Sequence, residues 1–139
     1  MYDKERIAKI ISDIEKYFGD ADKIGVRAIQ DLNDPAKYYS LSMLIFSLIN
    51  RAIDLGDEIV SAKKLGMPEK YRDIFHLLLK NKIIDASMEK TFSGLIHARN
   101  LIAHEYQSFT EKEVYGAYKK LPVIKQFIIV IKKEIAYGR

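Results

Sequence analysis

Four residues stand out by type and spacing: Arg99, Asn100, His104 and Tyr106, in the stretch RNLIAHEY. Their helical neighbours are plainly apolar: Phe92, Leu95, Ile96, Leu101 and Ile102. A histidine titrates near neutral pH, so it can take a proton from a hydroxyl and return one. An arginine presents a planar fork of donors that grips a phosphate through two bonds and stabilises charge developing on it. Asparagine and tyrosine add polar groups that orient a substrate. Such a set suits metal-free cleavage of an RNA phosphodiester. There the 2′-hydroxyl is the built-in nucleophile, and the protein supplies only a base, a cation and orientation.

Other chemistries fit less well. The three histidines include no Glu-x-x-His pair and no His-x3-His pair, a poor metal-ligand set. There is no cysteine, so thiolate metal sites and disulfides are excluded. Neither a G-x-S-x-G elbow nor a glycine-rich phosphate loop occurs. His76 and His97 are isolated and read as structural. Each motif residue also has a plain structural role open to it. Arg99 on an apolar face needs a partner, which Asp54, Asp57 or Glu58 of the second helix can provide. His104 near a helix end can complement the dipole and the last carbonyls. Tyr106 can be a partly buried ring with a wet hydroxyl.

The elements that must position these residues are helices. Ile7, Ile10, Ile11, Ile14, Tyr17 and Phe18 form one apolar stripe of a first helix over residues 3–18, which Gly19 and Asp20 end. Residues 19–34 read as a mostly irregular connector. Asp34 caps a second helix and Pro35 takes its first position. That helix runs to roughly Lys64, and its segment Leu41–Ile49 is apolar nearly all round, as a buried spine would be. Gly66 stops it, and Pro68 starts a third helix to about Asn81. Asp85 or Ser87 caps a fourth that runs toward His104. Thr110 and Glu113 make a capping-box pattern for a fifth, with Phe109 and Val114 as its hydrophobic staple. Pro122 kinks or splits that last helix. No alternating strand pattern competes, so the fold class is all-α, an up-and-down bundle of four or five helices.

At about 100° per residue, Arg99 falls on the apolar side of the fourth helix with Phe92, Leu95, Ile96, Ile102, Ala103 and Tyr106. His104 points roughly 140° away, on a polar stripe with Ser93, His97 and Asn100. An ideal helix does not bring Arg99 and His104 together. A shared site needs either a distorted helix end or a second chain.

At 139 residues the chain is one domain, 1–139, long enough to bury a core without metals or disulfides. The formal net charge of +4 and a pI near 9.1 permit an anionic partner such as RNA without demanding one. The pairs Lys119-Lys120 and Lys132-Lys133 read as solvated helix faces. No signal peptide or membrane-length apolar run is present, so a cytoplasmic, membrane-free protein is expected.

The spacing Arg99-x4-His104-x-Tyr106 resembles the R-x4-H-x-Y motif of HEPN-domain proteins, with Asn100 in the usual polar place after the arginine. The segments RAIDLGDEIV and LGMPEKYRDIFHLLLKNKIID look like the HepT-like toxin branch, and the likeness runs from about Pro35 to Ile135. The resemblance implies a metal-independent ribonuclease toxin that uses no cofactor, with Arg99 and His104 catalytic and Asn100 and Tyr106 supporting. It implies a homodimer whose two motifs face one cleft. It also implies an MntA-like minimal nucleotidyltransferase antitoxin that transfers AMP to Tyr106. Glu105 occupies the motif's variable position, an acid beside a site meant for a polyanion. Two other readings are a non-catalytic HEPN dimer that docks the nucleotidyltransferase, and a bundle that binds a small anionic ligand. For the dimer face, the candidates are the stripe of Ile7, Ile10, Ile11 and Ile14 or the motif helix itself.

Overall fold

The computed structural model describes residues 1–105, 107 and 109–137. Six α-helices and one 3-10 turn run through them, and no strand occurs among the described residues. Consecutive helices among the first five are neighbours, as an up-and-down bundle requires.

Helix α1 spans Lys4–Ile24, and the Asp3 carboxylate caps it by accepting from the Arg6 amide at 3.1 Å. It runs through Gly19, where the sequence suggested a stop. Gly19 faces open space, so its only cost is the weak helix propensity of glycine. Continuing the helix buries Ala21. The helix ends instead at Gly25, whose φ of +74° is the left-handed conformation that glycine tolerates best. The connector is not wholly irregular either: Ile29–Asn33 forms a 3-10 turn that buries Leu32.

Helix α2 (Pro35–Ala62) begins as expected, with the Asp34 carboxylate accepting from the Ala36 amide at 3.0 Å and Pro35 in the first turn. It is the spine: Leu41, Ile45, Leu48, Ile49, Ala52, Leu55 and Ile59 have no exposed surface. Around it pack α1, α3 (Tyr71–Lys80), α4 (Ala86–His104), α5 (Glu111–Lys120) and α6 (Pro122–Tyr137). Helix α3 starts at Tyr71, not Pro68, because the Asp73 carboxylate accepts from the amides of Glu69 and Lys70 and holds them outside the helix. Thr110 precedes α5, but its side chain makes no capping bond, so the capping box is not formed. Its staple partners Phe109 and Val114 are both buried. Pro122 splits the last helix, leaving Leu121 as the joint between α5 and α6.

A stacked pair, Phe75 on α3 and Phe92 on α4, has ring centroids 4.2 Å apart. Phe127 of α6 meets Phe92 edge-on at 5.0 Å and completes the centre of the core. The isoleucine stripe of α1 is spent inside the same core. Ile7, Ile10, Ile11 and Ile14 are 4, 0, 8 and 0% exposed, so they do not form a face for a second copy.

Helices α1 and α2 are also clamped by charge. The Arg51 guanidinium donates to Asp13 through Nε (3.0 Å) and Nη2 (2.6 Å), and to Asp54 through Nη1 (3.0 Å). Hydrogen bonds from Lys9 and from Arg51 hold the Asp13 carboxyl below the usual carboxylate range. A carboxylate depressed in the folded state contributes stability above its unfolded pKa of about 3.9, and loses it as pH falls through the lower folded value. Asp13→Asn should therefore lower the urea midpoint at pH 7, with the gap from wild type closing as the pH drops below 4. A gap that stays constant down to pH 2 would rule out this linkage.

Gly56 lets α3 approach α2. A Cβ there would meet Ile74 Cγ2 at 2.9 Å, with Leu78 and Phe127 also in contact. Overpacking costs about 1–3 kcal/mol, against roughly 1 kcal/mol that alanine returns in helix propensity. Gly56→Ala should lower stability by about 1 kcal/mol in urea titration. A midpoint at or above wild type would mean that α3 can shift freely outward.

Candidate active site at the end of helix α4

Helix α4 starts under a cap, with the Asp85 carboxylate accepting from the Met88 amide at 2.8 Å. Phe92, Leu95, Ile96 and Ala98 anchor it in the core. Burial then fades: Leu101 and Ile102 are half-buried, and Ala103 and His104 are exposed. The last turn runs past the edge of the core, and Arg99 sits at that edge.

Arg99 is half-buried, and its partners among the described residues are neutral. Its Nε–H donates to Asn50 Oδ1 of α2 at 2.8 Å, and Nη1 donates to Asn100 Oδ1 at 3.1 Å. The guanidinium carbon lies 4.7 Å from the centroid of the Tyr71 ring and 5.2 Å from that of Phe46. The expected bridge to Asp54, Asp57 or Glu58 does not form. Asp54 is taken by Arg51 and Glu58 by Arg6, and no carboxylate among the described residues pairs with Arg99. Hydrogen bonds and ring faces hold the group in place without cancelling its charge. Two of a guanidinium's five N–H groups are used, and the others have no protein partner among the described residues. A fixed cation with spare donors is suited to a phosphate.

His104 is the last residue of α4 and is exposed. Its side chain makes no hydrogen bond or ion pair with the described residues. The helix is regular from Arg99 to His104, so the two side chains leave it roughly 140° apart and about 7–8 Å along the axis. One chain brings Arg99 and Asn100 together and leaves His104 apart. Tyr106 lies outside the described residues. The chain beyond the motif is tied back to α2, where the Tyr38 hydroxyl donates to the Phe109 carbonyl.

The turn before α3 supplies the rest of the surroundings. Its backbone bonds to Asp73, which hold that carboxyl below its ordinary range, present Lys70, Tyr71 and Arg72 toward α4, with the Tyr71 ring against Arg99. With Glu69, Ile96 and Asn100 they line an open recess of about 520 Å³. No group of three or more His, Asp or Glu side chains that could hold a metal ion gathers among the described residues. Asn50, Phe46 and Tyr71, the side chains that seat Arg99, belong to no motif in the sequence. Asn50 left one trace: a lone amide directly after the apolar run Leu41–Ile49.

A family model described as Ribonuclease HepT-like matches residues 7–131. The mRNA nuclease HepT of Shewanella oneidensis is 32% identical over 83 residues, which cover 59% of this chain and 62% of that protein. Among solved structures, the tri-AMPylated Shewanella oneidensis HEPN toxin in complex with its MNT antitoxin superposes with a TM-score of 0.85 at 26% identity, covering 96% of this chain and all of that one. The cytosolic protein YutE of Bacillus subtilis, of unknown function, shares the fold with a TM-score of 0.83 at 20% identity, over 100% of this chain and 97% of its own. The family match takes in α2, α3 and all of the motif helix α4, so the chain belongs to the HepT-like ribonuclease family.

Proposed function

We propose that this chain is a metal-independent endoribonuclease toxin, held in check by an MntA-like minimal nucleotidyltransferase antitoxin. The observation that carries the reading is Arg99: a half-buried cation fixed by Asn50, Asn100 and two rings, with no carboxylate among the described residues to neutralise it. A module that only docks a partner has no use for such a charge. In the proposed reaction His104 takes the proton of the substrate's 2′-hydroxyl. The 2′-oxygen attacks phosphorus and the 5′-oxygen leaves with a proton, giving a 2′,3′-cyclic phosphate and a 5′-hydroxyl. Arg99 stabilises the charge on the phosphate.

The angle between Arg99 and His104 supports a composite site built by two copies. Tyr39, Met43, Phe46 and Asn50 fall on one face of α2 by helical spacing. Tyr39 and Met43 are 56% and 60% exposed. An apolar strip of this kind, leading to Arg99, fits a homodimer whose two-fold axis lies near the motif helices. That face replaces the isoleucine stripe, which is already buried.

His104→Ala should abolish cleavage with little change in melting temperature, because the side chain is exposed. Arg99→Ala should also abolish it. The stability cost should be only about 1–2 kcal/mol, since neutral partners leave no orphaned buried charge. Wild-type cleavage should persist in EDTA and leave cyclic phosphate ends. Full turnover by His104→Ala, or dependence on Mg²⁺, would sink the mechanism.

Regulation is expected at Tyr106, two residues past the end of α4. Its hydroxyl oxygen would attack the α-phosphate of ATP, with pyrophosphate leaving and the phenolic proton released. The added phosphate would carry negative charge next to Arg99 and His104 and compete with RNA. Co-expression with the nucleotidyltransferase should add one or more AMP masses, mapped to Tyr106 among the nine tyrosines, with loss of ribonuclease activity. Tyr106→Phe should escape modification. AMP on a remote tyrosine, with activity unchanged, would refute this form of control.

A further inference from the structure

We propose that the recess beside Arg99 is a subsite for one unpaired nucleotide of the RNA, with Tyr71 as the platform on which its base stacks. The inference rests on the ribonuclease reading and adds a substrate preference to it: single-stranded RNA. The recess, of about 520 Å³, is lined by Glu69, Lys70, Tyr71, Arg72, Ile96 and Asn100 and falls within the size range of small-molecule clefts. Its chemistry divides as a nucleotide does. Tyr71 is 42% exposed, although it opens a helix that packs into the core, so its ring offers aromatic surface to a ligand. Ile96 adds an apolar wall from α4. Lys70 and Arg72 flank Tyr71 in sequence and are exposed, ready for a backbone phosphate. Asn100 has its amide oxygen occupied by Arg99, which leaves its NH₂ group to donate to a base edge. Glu69 is the one acid in the lining, so the phosphate belongs on the Lys70 and Arg72 side.

The place of this subsite relative to the chemistry follows from one contact. The Tyr71 ring lies 4.7 Å from the Arg99 guanidinium, so a base on Tyr71 neighbours the phosphate that Arg99 grips. A base inside a duplex is stacked and paired on both sides and cannot reach the ring, whereas an unpaired base can.

The test uses short RNA oligomers carrying a single abasic nucleotide, scanned through every position, and bound to the His104→Ala protein. At one position, loss of the base should weaken binding about tenfold. That penalty should vanish when Tyr71→Leu is added and survive with Tyr71→Phe. A merely structural role for Tyr71 would weaken all oligomers alike and leave the penalty in place. Lys70→Gln with Arg72→Gln should flatten the salt dependence of binding while keeping the abasic penalty. The subsite is overturned if no position shows a penalty, if the penalty persists in Tyr71→Leu, or if duplex RNA binds as well as single strands. Should wild type cleave RNA while any of these holds, the ribonuclease reading stands and the subsite alone fails. Should wild type not cleave while the Tyr71-dependent penalty is found, the subsite stands and the catalytic reading fails.

Discussion

The structure is organised by the need to cover helix α2. A long helix with a broad apolar side is stable in water only if neighbours close over that side. Its buried positions, from Leu41 to Val60, fall by helical spacing on one broad side. The other five helices pack against it, and the phenylalanine cluster of α3, α4 and α6 fills the space beside it. At Gly56 α3 and α6 come close enough that a Cβ would collide with Ile74. The cover is incomplete along one edge, where Tyr39 and Met43 stay exposed, and Arg99 enters along that same strip of α2.

The character of the site follows from how Arg99 is accommodated there. A cation at the rim of a core can be neutralised by a carboxylate or held by neutral groups. The nearby carboxylates are engaged elsewhere, Asp54 with Arg51 and Glu58 with Arg6. Asn50 and Asn100 accept from the guanidinium, and two rings present their faces to it. Each such contact contributes about 1 kcal/mol, enough to fix the group and too little to cancel its charge. The charge stays available to an anion, in an orientation set before the anion arrives, which is the arrangement that best stabilises charge developing in a reaction.

The α1–α2 pairing shows a different use of charge. Arg51 reaches across to Asp13 while holding Asp54 on its own helix. These groups neutralise one another, as structural ion pairs do. The two arginines differ in partners more than in exposure, and the partners separate a neutralised brace from a cation held by neutral groups.

The sequence by itself determined the helical class, the start of α2 at Asp34-Pro35, its apolar spine, a cap for α4 at Asp85 or Ser87 and the break at Pro122. All of these depend on local periodicity, capping chemistry or proline geometry, which a residue carries wherever the chain goes. It also presented Arg99, Asn100, His104 and Tyr106 as a reactive set, because their types and spacing are unusual among apolar neighbours. Only the tertiary structure decided which glycine ends α1, since burying Ala21 outweighs the cost of Gly19. It decided that the α1 isoleucines face inward to α2, a choice between core and interface that an amphipathic stripe leaves open. It decided, too, that Asn50, Phe46 and Tyr71 hold Arg99, and that Asp54 and Glu58 do not. Those residues stand 28 to 53 positions away along the chain. Which of them meets a guanidinium depends on how three helices pack, and packing is set by the shape of the whole core.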